Sequence, residues 1–269
     1  MKRNMKVSLT IFLIFVTLPG CSSLMKINIF PVSKDIELGN QIDAEIRKNP
    51  KEYPILADRP DVKAYIESIG RKILSSPHIK YRNVFAYKFE VIKDDSTVNA
   101  FCVPGGYIYV YTGLLKFVDN EATLAGVIAH EIAHAELRHS TNKITAQYGI
   151  QIALELASGK VGKTGTQIAN VIAVLGLLKF SRAEEEEADE YSFKYLQSTE
   201  YYPGAIKFFF EKIGLNRKGN AFEKLLSTHP LPKERFDHIN KLILESKLPD
   251  PDEPNIFSKR YKAFVNTLP

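Results

Sequence analysis

The sequence predicts an α+β protein, mostly helical, with a small β-sheet set beside one buried helix. Three observations point there. Apolar residues recur at helical spacing over most of the chain, while alternation with a period of two is confined to residues 84–112. Of the 269 residues, 45% are hydrophobic and 25% charged, which excludes disorder, collagen and coiled coil. That length allows one large domain or two small ones, ample for a buried core with a site inside it.

Residues 1–20 read as an export signal. Lys2, Arg3 and Lys6 precede an uncharged, mostly apolar stretch at 7–18. It is too short for a spanning helix, which needs about 20 residues. Leu18-Pro19-Gly20-Cys21 resembles a bacterial lipobox, which implies cleavage before Cys21 and lipid attachment to it. The lipid would hold the protein on a membrane without a span. Residues 21–34 are then a lipidated tether and 35–269 a single domain. Ser22 resembles the default for outer-membrane sorting, so the expected address is the cell envelope, at the periplasmic face of the outer membrane. The signal also explains most of the formal charge of +5, since without its three cations 33 bases face 31 acids. No basic tract remains to argue for nucleic acid.

Helices are expected at 35–47 and 61–74, the second with Ile66, Ile69 and Ile73 on one stripe and Pro60 at its start. Alternating Phe85, Tyr87, Phe89 and Val91 mark a strand over 84–92. Two more strands, 98–103 and 107–112, flank the turn signature Pro104-Gly105-Gly106. Cys102 sits between Phe101 and Val103 as a packed strand residue; with Cys21 lipidated, no disulfide can form. Asn120 can cap a helix over 121–139. Strongly apolar helices follow at 144–157 and 167–179, although the uncharged run at 164–178, about 22 Å as a helix, falls short of a hydrocarbon core of roughly 30 Å. Helices at 183–197, 204–213 and 232–245 complete the pattern, and the tail at 249–269 reads as irregular.

The chemistry is concentrated in His130-Glu131-Ile132-Ala133-His134. One helical turn separates the two histidines, so their imidazoles share a face and can converge on one Zn²⁺. Glu131 lies at the edge of that face, where its carboxylate can act on a water without ligating the metal, the zincin arrangement. Catalytic zinc usually has three protein ligands and a water. His139 falls on another face of the expected helix and reads as structural. The third ligand is sought in Ser181-Arg182-Ala183-Glu184-Glu185-Glu186-Glu187-Ala188-Asp189, where Glu184 and Glu185 lie nearest the buried side. Only Glu185 has an acid one turn later, Asp189. Metal-bound histidine usually donates its second N–H to a carboxylate, so Glu185 is expected as ligand and Asp189 as the orienting acceptor behind a histidine.

These motifs resemble a metallopeptidase family that includes HtpX, the mitochondrial Oma-type proteases and the CAAX prenyl endopeptidases. His-Glu-x-x-His followed by Ser-Arg-x-x-Glu-x-Glu-Ala-Asp carries the resemblance. Asn99-Ala100-Phe101, Pro104-Gly105-Gly106, Thr112-Gly113-Leu114-Leu115, Arg138-His139 and His229-Pro230 with Arg235 extend it across roughly 35–245. The resemblance implies a gluzincin-like catalytic domain with one Zn²⁺ per chain, held by His130, His134 and Glu185, with Glu131 as the catalytic base. The chain is similar to the soluble lipoprotein branch of the family in the cell envelope. That implies a zinc endopeptidase acting on unfolded or misfolded envelope proteins in quality control, with an envelope assembly partner as a further expectation. Asn99, Ala100 and Phe101 would form an edge strand that pairs with extended substrate. Pro230 disfavours helix at His229, which is expected in an extended loop as a fourth zinc ligand or latch. Arg235 would stabilise the developing oxyanion. The competing expectation is a lipid-anchored chaperone-like or partner-binding module with a structural or inhibited zinc site. Glu131, which metal binding alone does not require, favours the enzyme.

Overall fold

The structure is a computed structural model that describes residues 28–146, 179–215, 220–230 and 233–269. The signal at 1–20, Cys21, the tether as far as residue 27 and nearly all of the apolar helices at 144–157 and 167–179 lie outside the described residues. Among the described residues, no helix is long and apolar enough to cross a membrane.

Among the described residues, two helices come first, α1 (Val32–Lys48) and α2 (Pro60–Leu74). Strands β1 (Lys88–Ile92), β2 (Ala100–Val103) and β3 (Tyr107–Tyr111) form one sheet in the order β1-β3-β2, with β1 parallel and β2 antiparallel to β3. The sequence Tyr-Ile-Tyr-Val-Tyr explains how β3 is covered on both sides. Successive side chains point to opposite faces, so Tyr107, Tyr109 and Tyr111 pack on α1 through Leu38, Ile42 and Ile46. Ile108 and Val110 join the main core with Val62, Ile66, Ile69 and Ile73 of α2. Gly105 and Gly106 make the β2–β3 turn at φ +79° and +90°, a backbone region open to glycine.

The first strand is shorter than the expected 84–92. Pairing starts at Lys88, opposite Tyr107, because Tyr87 takes φ 25° and turns its hydroxyl to Glu136 instead of continuing the ladder.

Helices α3 (Thr112–Phe117) and α4 (Glu121–Glu136) follow. Asn120 caps α4 by accepting a hydrogen bond from Thr123 N. Every residue of α4 is buried, as befits a helix enclosed by neighbours on all sides. Helices α5 (Arg182–Leu196) and α6 (Ile206–Leu215) pack on it. Gly126 lets α6 come close: a Cβ there would lie 2.8 Å from Ile206 N. The expected single helix over 121–139 is broken, because Leu137 closes α4, Arg138 adopts φ +57°, and helix resumes over 139–146.

A 3₁₀ turn at Asn220–Phe222 leads into α7 (Glu223–Thr228), which ends at His229, and α8 (Lys233–Glu245) follows. The tail differs from the expectation of irregular structure. It folds into α9 (Glu253–Ile256) and α10 (Ser258–Val265), both packed on α4. Tyr261 is buried and donates to the Leu115 carbonyl, and Phe264 stacks on Tyr65, so tertiary contacts hold a segment with little helical pattern of its own.

Candidate metal centre

The middle of α4 carries His130, Glu131 and His134, all buried. The Nε2 atoms of His130 and His134 face each other at 3.0 Å. Helix α5 brings the carboxylate. Its capping box consumes Glu184, whose side chain accepts from Ser181 N at 2.7 Å while Ser181 Oγ accepts from Glu184 N. The next residue, Glu185, consequently points inward and is 0% exposed. Its oxygens lie 3.4 Å from His130 Nε2 and 3.6 Å from His134 Nε2. His229, extended at the end of α7 and only 3% exposed, places Nδ1 2.9 Å from Glu185 Oε1. One ligand atom from each of His130, His134, Glu185 and His229 can be chosen so that all four lie within 4.8 Å of one another.

Behind this group, Asp189 Oδ1 lies 2.9 Å from His130 Nδ1, as the acid one turn after Glu185 predicts. Arg235 locks that aspartate by donating from Nε to Oδ2 and from Nη2 to Oδ1, each at 2.7 Å. Its Nη1 reaches Glu185 Oε2 and donates to the Pro230 carbonyl at 3.1 Å. Fully buried, Arg235 is engaged with the carboxylates of Asp189 and Glu185 in this structure. The break at Arg138 has a consequence that straight-helix geometry misses. It returns His139 to the centre, with its Nδ1 2.8 Å from His134 Nδ1.

Burial and charge act in opposition here. Burial resists charge on His130, but Asp189 and Glu185 outweigh it and raise the pKa to about 9, so this point favours positive charge from a proton or a metal ion. Burial and then the charge on His130 push His134 well below the ordinary histidine value, which keeps it a neutral donor. Burial also opposes ionisation of Glu185, yet His229 and Arg235 hold its carboxyl well below the usual carboxylate range. Two facing imidazole nitrogens, an ionised buried carboxylate and a third imidazole are a donor set that fits zinc.

Glu131 differs from Glu185. Burial raises its pKa, and among the described residues its Oε2 has no hydrogen-bond partner. The Cys102 thiol lies against it; burial and then Glu131 push that thiol well above its ordinary pKa, in keeping with an unreactive strand residue. Among the described residues, strand β2 ends the sheet order and packs on α4, which sets Ala100 and Phe101 on an edge strand, with Asn99 buried just before it.

The model of Peptidase family M48 matches residues 60–243. The chain is 29% identical over 205 residues to the beta-barrel assembly-enhancing protease of Yersinia pestis, covering 72% of this chain and 41% of that protein. It is 31% identical over 189 residues to the mitochondrial metalloendopeptidase OMA1 of Schizosaccharomyces pombe, covering 68% and 54%. It is 34% identical over 158 residues to the metalloprotease LoiP of Escherichia coli, covering 57% and 60%. The chain therefore spans about half the length of the curated relatives it matches. A family match that runs from the start of α2 into α8 takes in every residue of the centre, and with it the chain belongs to Peptidase family M48, a family of zinc metallopeptidases.

Proposed function

We propose that the chain is a zinc-dependent endopeptidase of the bacterial cell envelope that cleaves unfolded or misassembled proteins. One observation carries the reading: a buried carboxylate, Glu131, stands beside the zinc-type donor set without belonging to it. A structural zinc site has no use for such a group. His130, His134 and Glu185 hold the ion, with His130 oriented by Asp189 and Asp189 by Arg235. Bound zinc supplies Lewis acidity, polarising the scissile carbonyl and making water acidic enough to react near neutral pH. Glu131 accepts the proton of the attacking water and passes it to the leaving amine. An extended substrate pairs with the β2 edge around Asn99, Ala100 and Phe101, a mode that reads backbone more than sequence and therefore suits unfolded chains.

His229 acts as a latch. It rests with Nδ1 on Glu185 and Nε2 3.8 Å from Glu131 Oε1, between the two carboxylates that a substrate must displace it from. The likeness to a beta-barrel assembly-enhancing protease supports an envelope setting for this chain. The lipobox at Cys21 supports a lipid anchor, and Ser22 an outer-membrane address. The seated His229 also favours a second reading, a lipid-anchored module with an inhibited zinc site that binds a partner without cutting it. Unfolded casein separates the two. Zinc-loaded protein should cleave it, a chelator should stop the reaction, and His229→Ala should cleave faster than wild type. Failure of both proteins to cut casein would favour the binding module.

A further inference from the structure

The outer contacts of the two zinc histidines are unlike. His130 turns Nδ1 to the carboxylate of Asp189, which Arg235 neutralises. His134 instead turns Nδ1 to another ring, the Nδ1 of His139 at 2.8 Å. Both rings are buried, His134 at 0% and His139 at 2% exposure. Metal binding through His134 Nε2 leaves its proton on Nδ1, so His139 must meet that proton with a bare Nδ1. The remaining proton of a neutral His139 is then on Nε2, which lies 3.6 Å from Glu187 Oε2. Phe180 stacks on the His134 ring, with centroids 4.1 Å apart and planes 25° apart, and so fixes the ring plane but not its rotation within that plane.

We propose that His139 is a positioning residue for the second zinc histidine: its bare Nδ1 accepts a hydrogen bond from the Nδ1–H of His134 and so fixes the tautomer and aim of Nε2 of His134. The neutral acceptor has a physical rationale. Glu131, Glu185 and Asp189 place three carboxylates in the centre, which one buried guanidinium and a bound Zn²⁺ would balance, and a fourth would leave a buried negative charge with its desolvation penalty. An imidazole supplies the orienting acceptor without another buried charge. The backbone break at Arg138 makes the contact, since it carries His139 off the line of α4 and back toward His134.

This inference rests on the reading of His134 as a zinc ligand, and its test separates the two. Zinc affinity is measured by chelator competition for wild type, His134→Ala, His139→Leu and His139→Asn, with melting curves and the visible spectrum of the cobalt-substituted proteins alongside. His139→Leu keeps the volume and removes the acceptor, and it should weaken zinc binding by roughly 10–100-fold. His139→Asn places an oxygen near the lost Nδ1 and should restore affinity and the cobalt spectrum to near wild type. A packing role for His139 predicts the reverse, with zinc bound by the Leu variant as tightly as by wild type, and that result overturns the proposal. Should the Leu variant not fold, the Asn variant decides: wild-type affinity upholds the proposal and a tenfold loss overturns it. If wild type takes up no zinc, or His134→Ala binds it equally well, the reading of the centre itself fails.

Discussion

Glu184 and Glu185 are neighbours in sequence with opposite surroundings, and their contrast makes a prediction at the scale of single residues. Glu184 closes the capping box of α5 near the surface, whereas Glu185 is wholly buried among histidines. Glu185→Ala should abolish zinc binding, measured as metal content after dialysis. Glu184→Ala should retain zinc and cost about 1 kcal/mol of stability through the lost cap. Asp189→Asn should weaken zinc affinity or activity by roughly 10–100-fold, since the carboxylate behind His130 is replaced by an amide while the ligands stay. The reverse ranking of the two glutamates would mean that α5 presents its other edge to the metal. Here the sequence was informative. An acid one turn after Glu185 marked both residues, and two histidines one turn apart marked the centre. What stayed hidden was the Arg235–Asp189 pair, because a salt bridge between α5 and α8 leaves no local pattern in either helix.

At the scale of elements, the least legible feature is the end of α4. Arg138 at φ +57° has no glycine to announce it, so a helix through His139 was the reasonable expectation. Its cause is long-range: Arg138 donates to Asp35 of α1 and to the Phe30 carbonyl. The C-terminal helices leave little local signal for the same kind of reason. Glu121, at the start of α4, accepts from Tyr65 of α2, from Tyr201, and from Arg260 of α10. It ties the far end of the histidine helix to three parts of the chain. Glu121→Ala should lower stability by about 3 kcal/mol, because two tyrosine hydroxyls and a guanidinium lose their common partner. Arg260→Ala should cost about 1 kcal/mol, since that side chain is half exposed and its pairing is screened by solvent. Denaturant unfolding of the two variants measures the difference. Equal costs would show that the clamp depends on Arg260 and not on the buried carboxylate.

At the scale of the whole molecule, α1 covers one face of the sheet while α2 and α4 back the other, and the four candidate ligands come from α4, α5 and the end of α7. Zinc bound there stabilises the folded chain by linkage, by about 4 kcal/mol at a thousand times its dissociation constant. Chelation should therefore lower the melting temperature by roughly 8–16 °C, at 2–4 °C per kcal/mol for a domain of this size. An unchanged melting curve after complete metal removal would place zinc outside the folded core. The expected address is tested on the full-length precursor. Cys21→Ser should lose lipid labelling and leave the membrane fraction, and retention after a high-salt wash would point to a second anchor.

The central claim is that a carboxylate outside the ligand set carries the chemistry, and Glu131→Gln tests it most directly. Zinc content and casein cleavage are measured on the same preparation, beside wild type. The amide keeps the size of the side chain but cannot accept the proton from water. The variant should hold one zinc per chain and melt like wild type, while cleavage falls by roughly 10²–10⁴-fold, the range over which a positioned acid–base group contributes. Wild-type-like cleavage by a zinc-loaded Glu131→Gln protein would contradict the account.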